Sequence, residues 1–100
     1  MGLLSLFTGK KKKIEAMLAQ GAVVVDVRTA GEYKSGHAKG SKNMPLQTIS
    51  NKTKELQKMK KPIIFCCASG MRSGQATSIM KSKGIECMNG GSWSSVARYV

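Results

Sequence analysis

Two adjacent cysteines, Cys66 and Cys67, close an apolar run and open a short stretch of small residues that ends at Arg72. Residues 67–72 read Cys-Ala-Ser-Gly-Met-Arg, and a helical pattern follows from about Ser73. A thiol at the end of a buried strand, then a tight loop containing Gly70, then the start of a helix makes a cradle for an anion. The loop N–H groups converge on one point, and the positive end of the helix faces it. The chemistry this arrangement serves is that of a thiolate nucleophile. A free thiol, with a pKa near about 8.5, is only a few per cent ionised at neutral pH. A helix end worth about 0.3–1 kcal/mol corrects little of that, so the loop amides must supply the rest. Part of the gain is lost again, because nucleophilicity falls as the pKa falls.

The elements that hold this loop can be read from periodicity. Ile14, Met17 and Leu18 at helical spacing, followed by Gly21, predict an amphipathic helix over residues 11–20. Residues 22–27, rich in valine and lacking polar alternation, predict a strand covered on both faces. Thr29 and Glu32 have capping-box spacing, so a short helix is expected from there to about Gly36. Asn43 and Met44, held extended by Pro45, precede a second amphipathic helix marked by Leu46, Ile49, Leu56 and Met59. Residues 62–66 predict the next buried strand. Ala76, Ile79 and Met80 mark a helix closed by Gly84, residues 85–88 predict a last strand, and Gly90-Gly91 a turn into Trp93 and a terminal helix. Strands alternating with helices through short connections predict an α/β domain with a mainly parallel sheet and right-handed crossovers. The working site then lies at the carboxyl ends of the strands, where Cys67 falls.

Size and composition agree with one such domain. One hundred residues, 41% of them hydrophobic, suffice for one core and leave no room for a second. We divide the chain into a short lead, residues 1–12, that carries the lysine run of residues 10–13, and a domain over residues 13–100. Three cysteines, two of them neighbours, make a poor disulfide framework, so reduced thiols and a cytoplasmic location are expected. The apolar start is too short to span a bilayer, and its lysines follow the apolar stretch where an export signal needs them before it. The net charge of +12 invites a nucleic-acid reading, yet only three of the cations are arginine and no stacking aromatics lie among them. A solvated lysine face is the better reading, with an acidic protein as a candidate partner and no nucleic acid.

Taken together, Asp26-Val27-Arg28-Thr29, Glu32-Tyr33, Gly36-His37, Gly40-Ser41, Asn43-Met44-Pro45, residues 67–73 and Gly90-Gly91 resemble the rhodanese homology domain. The likeness runs from about Val23 to Trp93, and the order and spacing of its parts make it specific. It implies a three-layer fold in which helices flank a mainly parallel central sheet. It also implies a ping-pong sulfur transfer: Cys67 takes the outer sulfur of a small anionic donor such as thiosulfate, and cyanide or a thiol acceptor removes it. Cys67 is then the catalytic residue, and Ala68, Ser69, Gly70 and Met71 act chiefly through their backbone amides. Arg72 shapes the loop and adds positive potential. No metal or organic cofactor is required.

Two other readings stand beside this one. Cys66 to Arg72 has the C-x5-R spacing of the cysteine-dependent phosphatases and arsenate reductases related to this fold. Counted from Cys67, Gly70 falls where the rhodanese loop has it, and the strand runs naturally through Cys66, which favours Cys67. A regulatory module that carries a persulfide or only docks on a partner is the alternative from another class. His37 is read as part of a structural turn and not as a base. Asp26, Arg28 and Glu32 are read as a buried polar network, and Cys87 and Trp93 as packing.

Overall fold

A computed structural model describes the backbone of residues 2–100 and the side chains of residues 9–100. Its four strands are β1 (Val23–Asp26), β2 (Lys42–Asn43), β3 (Ile63–Cys67) and β4 (Cys87–Ser92). They form one sheet in the order β2-β1-β3-β4, and every pairing is parallel. The helices are α1 (Gly2–Ala19), α2 (Ala30–Lys34), α3 (Thr53–Met59), α4 (Met71–Ser82) and α5 (Trp93–Val96). The expected three layers are present.

Side chains of β3 alternate between the two faces, as the two-residue period of a strand requires. Ile63, Phe65 and Cys67 enter a core with Leu56 of α3 and Ala76 and Met80 of α4. Ile64 and Cys66 enter the opposite core, with Ile14 and Met17 of α1 and Val96 of α5. All five β3 residues are fully buried. The two neighbouring thiols are therefore separated by the sheet itself.

The capping box at Thr29 forms as the spacing predicts, and Gly84 closes α4 with φ +80°. Three expectations need correction. The first helix starts at Gly2, so the lysine run lies inside α1, and the helix crosses the division drawn after residue 12. The segment from Leu46 is not one α-helix: a 3-10 helix, Leu46–Lys52, precedes α3. Thr48 and Thr53 donate their hydroxyls to the carbonyls of Pro45 and Ser50, the local competition that disfavours a regular helix.

The third correction concerns Gly90 and Gly91, which belong to β4 and do not form a turn after it. Phe65 pairs with Asn89 and Cys66 with Gly91, so Gly90 is an extra residue in the ladder. A Cβ on Gly90 would sit 2.7 Å from Val96 Cγ2 and 2.8 Å from Ile64 Cγ2, which leaves space for glycine alone. Gly91 follows with φ +90°. This bulge carries β4 past Cys67, which pairs with Ser92, and brings Asn89 and Gly91 against the loop after β3.

Candidate functional site

The loop leaves β3 at Cys67 and enters α4 through Gly70, whose φ of +102° suits a residue without a side chain. It packs closely on β4: a Cβ on Gly70 would lie 3.4 Å from Gly91 Cα. Gly70 N–H donates to Cys67 Sγ at 3.0 Å, Ser73 N–H at 3.4 Å, and the Ser73 hydroxyl lies 3.3 Å from the same sulfur. Cys67 itself is wholly covered, while Ala68, Ser69 and Met71 are exposed.

Burial is the largest single influence on the Cys67 thiol and works against ionisation. The Ser73 hydroxyl, the Ser73 and Gly70 amides and, least, the Ser69 amide together outweigh it, and the pKa lies below the ordinary thiol value. Cys66 has no such support. Burial, and then the negative charge of Asp26, push its pKa up to about 12. Cys87 is likewise raised, chiefly by burial. Of three buried thiols, only Cys67 is held toward the thiolate.

Ser73, where the sequence marks no more than a helix entry, also contributes its side chain. Its side chain is fully buried, and besides Cys67 it reaches Asn89 Oδ1 at 2.7 Å. Asn89 also accepts from Gly91 N–H at 2.9 Å and donates through Nδ2 to the Gly70 carbonyl at 2.9 Å. One amide thus ties together the loop, the bulge and the hydroxyl beside the sulfur. Nothing in the local sequence announces Asn89, because its partners are up to nineteen residues away.

The polar network differs from expectation in one member. Asp26 and Arg28 are buried and paired, with Arg28 Nη2 2.7 Å from Asp26 Oδ2. Arg28 also donates to the carbonyls of Glu32 and Gly36, and its guanidinium lies 4.9 Å from the centre of the Trp93 ring. The Glu32 carboxylate turns away from this pair and accepts two hydrogen bonds from Arg72, at 2.8 and 3.0 Å. Arg72, followed by the Thr29 amide, holds the Glu32 carboxyl at about 2, well below the usual carboxylate range. Arg72 therefore fastens the loop to α2, and Glu32 offsets much of the positive potential expected of it. His37 stacks on Tyr33 at 3.7 Å, and its Nδ1 lies 2.7 Å from the Tyr33 carbonyl oxygen, the turn role expected of it.

A model described as the rhodanese-like domain matches residues 10–96. The chain belongs to that family. Its rhodanese-like domain is 31% identical over 81 residues to the thiosulfate sulfurtransferase GlpE of Pseudoalteromonas translucida, covering 78% of this chain and 76% of that protein. It is 32% identical over 63 residues to the uncharacterized protein YqhL of Bacillus subtilis, covering 63% of this chain and 49% of that protein, so the chain spans about half the length of YqhL. Among solved structures, an Escherichia coli rhodanese with anions superposes with a TM-score of 0.67 at 25% identity, over 74% of this chain and 89% of that one. Among the described residues of the rhodanese-like domain, no helix is long and apolar enough to cross a membrane.

Proposed function

We propose that this rhodanese-like domain is a sulfurtransferase that carries sulfane sulfur as a persulfide on Cys67. The observation that carries the reading is the convergence of Gly70 and Ser73 donors on Cys67 Sγ, while Cys66 faces the other core. In the first half-reaction the Cys67 thiolate attacks the outer sulfur of a small anionic donor such as thiosulfate. The donor S–S bond breaks, its electron pair leaves with sulfite, and a persulfide anion remains on Cys67. In the second, cyanide or a thiolate attacks the outer sulfur and the bond pair returns to Cys67 Sγ.

The residues of the loop divide the work. Gly70 and Ser73 hold the inner sulfur. Met71 and Arg72 begin α4, where amides have no intrahelical partner, and with Ser69 they are suited to the charge of the outer sulfur. Ala68 lies on the exposed rim. The likeness to GlpE, named a thiosulfate sulfurtransferase, favours the same donor class.

Formation of thiocyanate and sulfite from thiosulfate and cyanide tests the proposal. Activity is expected to vanish in Cys67→Ser and to survive largely in Cys66→Ser. The opposite pattern, together with hydrolysis of aryl phosphates, would replace it with the phosphatase reading.

A further inference from the structure

Beside the loop lies an open-sided pocket of about 450 Å³, within the size range of small-molecule sites. Its wall is shared with the cradle: Ser69 of the loop and Gly91 of the bulge both line it. Lys10 and Lys11 of α1 and Arg98 from the C-terminal turn supply three cations, and no acidic residue is in the lining. Among the described residues, none of these three cations has an ion-pair partner. The Lys10 Nζ lies over Gly91, 3.1 Å from where a Cβ on that residue would stand. Gly91 in turn touches Gly70, so the ammonium and the cradle are separated by one backbone contact.

We propose that this pocket is a subsite for the anionic groups of a small thiol that carries at least two negative charges, and that it delivers such a thiol to the Cys67 persulfide. The inference rests on the sulfurtransferase reading and narrows its acceptor. Three unpaired cations on a concave wall attract a polyanion more strongly than the same charges spread over a convex face, and over this short range screening by salt is incomplete. The size of the concavity favours a small molecule over an acidic protein segment. The thiolate of the bound molecule attacks the outer sulfur of the persulfide. A new S–S bond forms on the acceptor, the old one breaks, and its electron pair returns to Cys67 as thiolate. The part of the lysine run at Lys10 and Lys11 thereby acquires a role that a uniformly solvated face lacks.

The test compares two acceptors, mercaptosuccinate and 2-mercaptoethanol, with the full chain loaded from thiosulfate. Lys10→Ser and Arg98→Ser are expected to raise KM for mercaptosuccinate by about five- to tenfold more than for 2-mercaptoethanol, a size typical of losing one or two solvent-facing charge contacts. Lys10→Arg should restore most of the difference, and added salt should reduce it. Equal changes for both thiols, or none, overturn the subsite. A non-reacting probe, S-methyl mercaptosuccinate, separates this outcome from failure of the sulfurtransferase reading. Binding that shifts the amide resonances of Ser69 and Gly91 and is lost in Lys10→Ser upholds the subsite even without turnover. Turnover without such binding upholds the chemistry and removes the subsite.

Discussion

The Ser73 hydroxyl stands 3.3 Å from Cys67 Sγ and 2.7 Å from Asn89 Oδ1, and it has one proton for the two acceptors. With a neutral thiol, S–H can donate to Ser73 and Ser73 to Asn89. With a thiolate, the proton turns to sulfur and Asn89 Oδ1 keeps only the Gly91 amide as a donor. A single rotation of one hydroxyl thus follows the charge on the nucleophile, and the main-chain atoms need not move.

Removing that hydroxyl should cost the thiolate the hydrogen bond that favours it most. Hydrogen bonds to charged groups are worth about 1.5–3 kcal/mol, so Ser73→Ala is expected to lower sulfur-transfer kcat/KM at neutral pH by roughly tenfold or more. The pH profile of alkylation, followed as loss of the Cys67 thiol, should move upward in this variant. A profile identical to that of the parent protein removes Ser73 from the account.

Selective labelling follows from the same contrast between thiols. Cys67 ionises below the ordinary thiol range, whereas Cys66 is held near about 12. At pH 7, limiting iodoacetamide should modify Cys67 first, and Cys66 and Cys87 only after unfolding. Fragment-ion sequencing of the labelled peptide from the early product distinguishes the two neighbouring cysteines and reads the order.

The ion pair between Glu32 and Arg72 predicts an acid dependence of stability. Glu32 has a folded-state pKa of about 2, below the value of about 4.3 for an unfolded chain. A depressed carboxylate pKa stabilises the fold above the unfolded value, and this contribution disappears as pH falls through the folded value. Thermal melts of the parent protein and Glu32→Gln should therefore be separated at pH 6 and converge as the pH approaches 2. Both side chains are partly exposed, so the separation should also shrink in high salt. A gap that persists to pH 2 contradicts the pairing.

Substitution at Gly90 tests the bulge. A methyl group there meets side chains of α5 and β3 at under 3 Å, and relieving such overpacking commonly costs about 1–3 kcal/mol. Gly90→Ala should lower the urea midpoint, whereas alanine at Gly31, with open space around it, should not. Equal midpoints for the two variants rule out the close packing described for β4.

Much of this architecture was legible in the residues because it depends on local periodicity. The valine run of β1, the apolar run of β3 and the Thr29–Glu32 box each state their structure within a few positions. The preference for Cys67 over Cys66 drew on the place of Gly70 in the rhodanese-like loop and on where the strand ends; the alternation of β3 side chains puts the two thiols in different cores. What escaped were contacts made by long-range pairing. Arg72 reaches Glu32 across forty residues and Ser73 reaches Asn89 across sixteen. The double glycine was misread as a turn because a bulge and a turn demand the same small residues, and only the β3–β4 register separates them. The 3-10 segment was likewise hidden by apolar spacing that a regular helix would share.

The most direct measurement is the mass of the Cys67 peptide after treatment with thiosulfate and removal of excess donor. The account predicts a gain of about 32 Da, one sulfur atom, on the peptide that carries the two neighbouring cysteines, kept in Cys66→Ser, absent in Cys67→Ser, and lost when cyanide is added. The same gain in folded Cys67→Ser protein, or no gain at all in the parent protein shown to be folded, would contradict it.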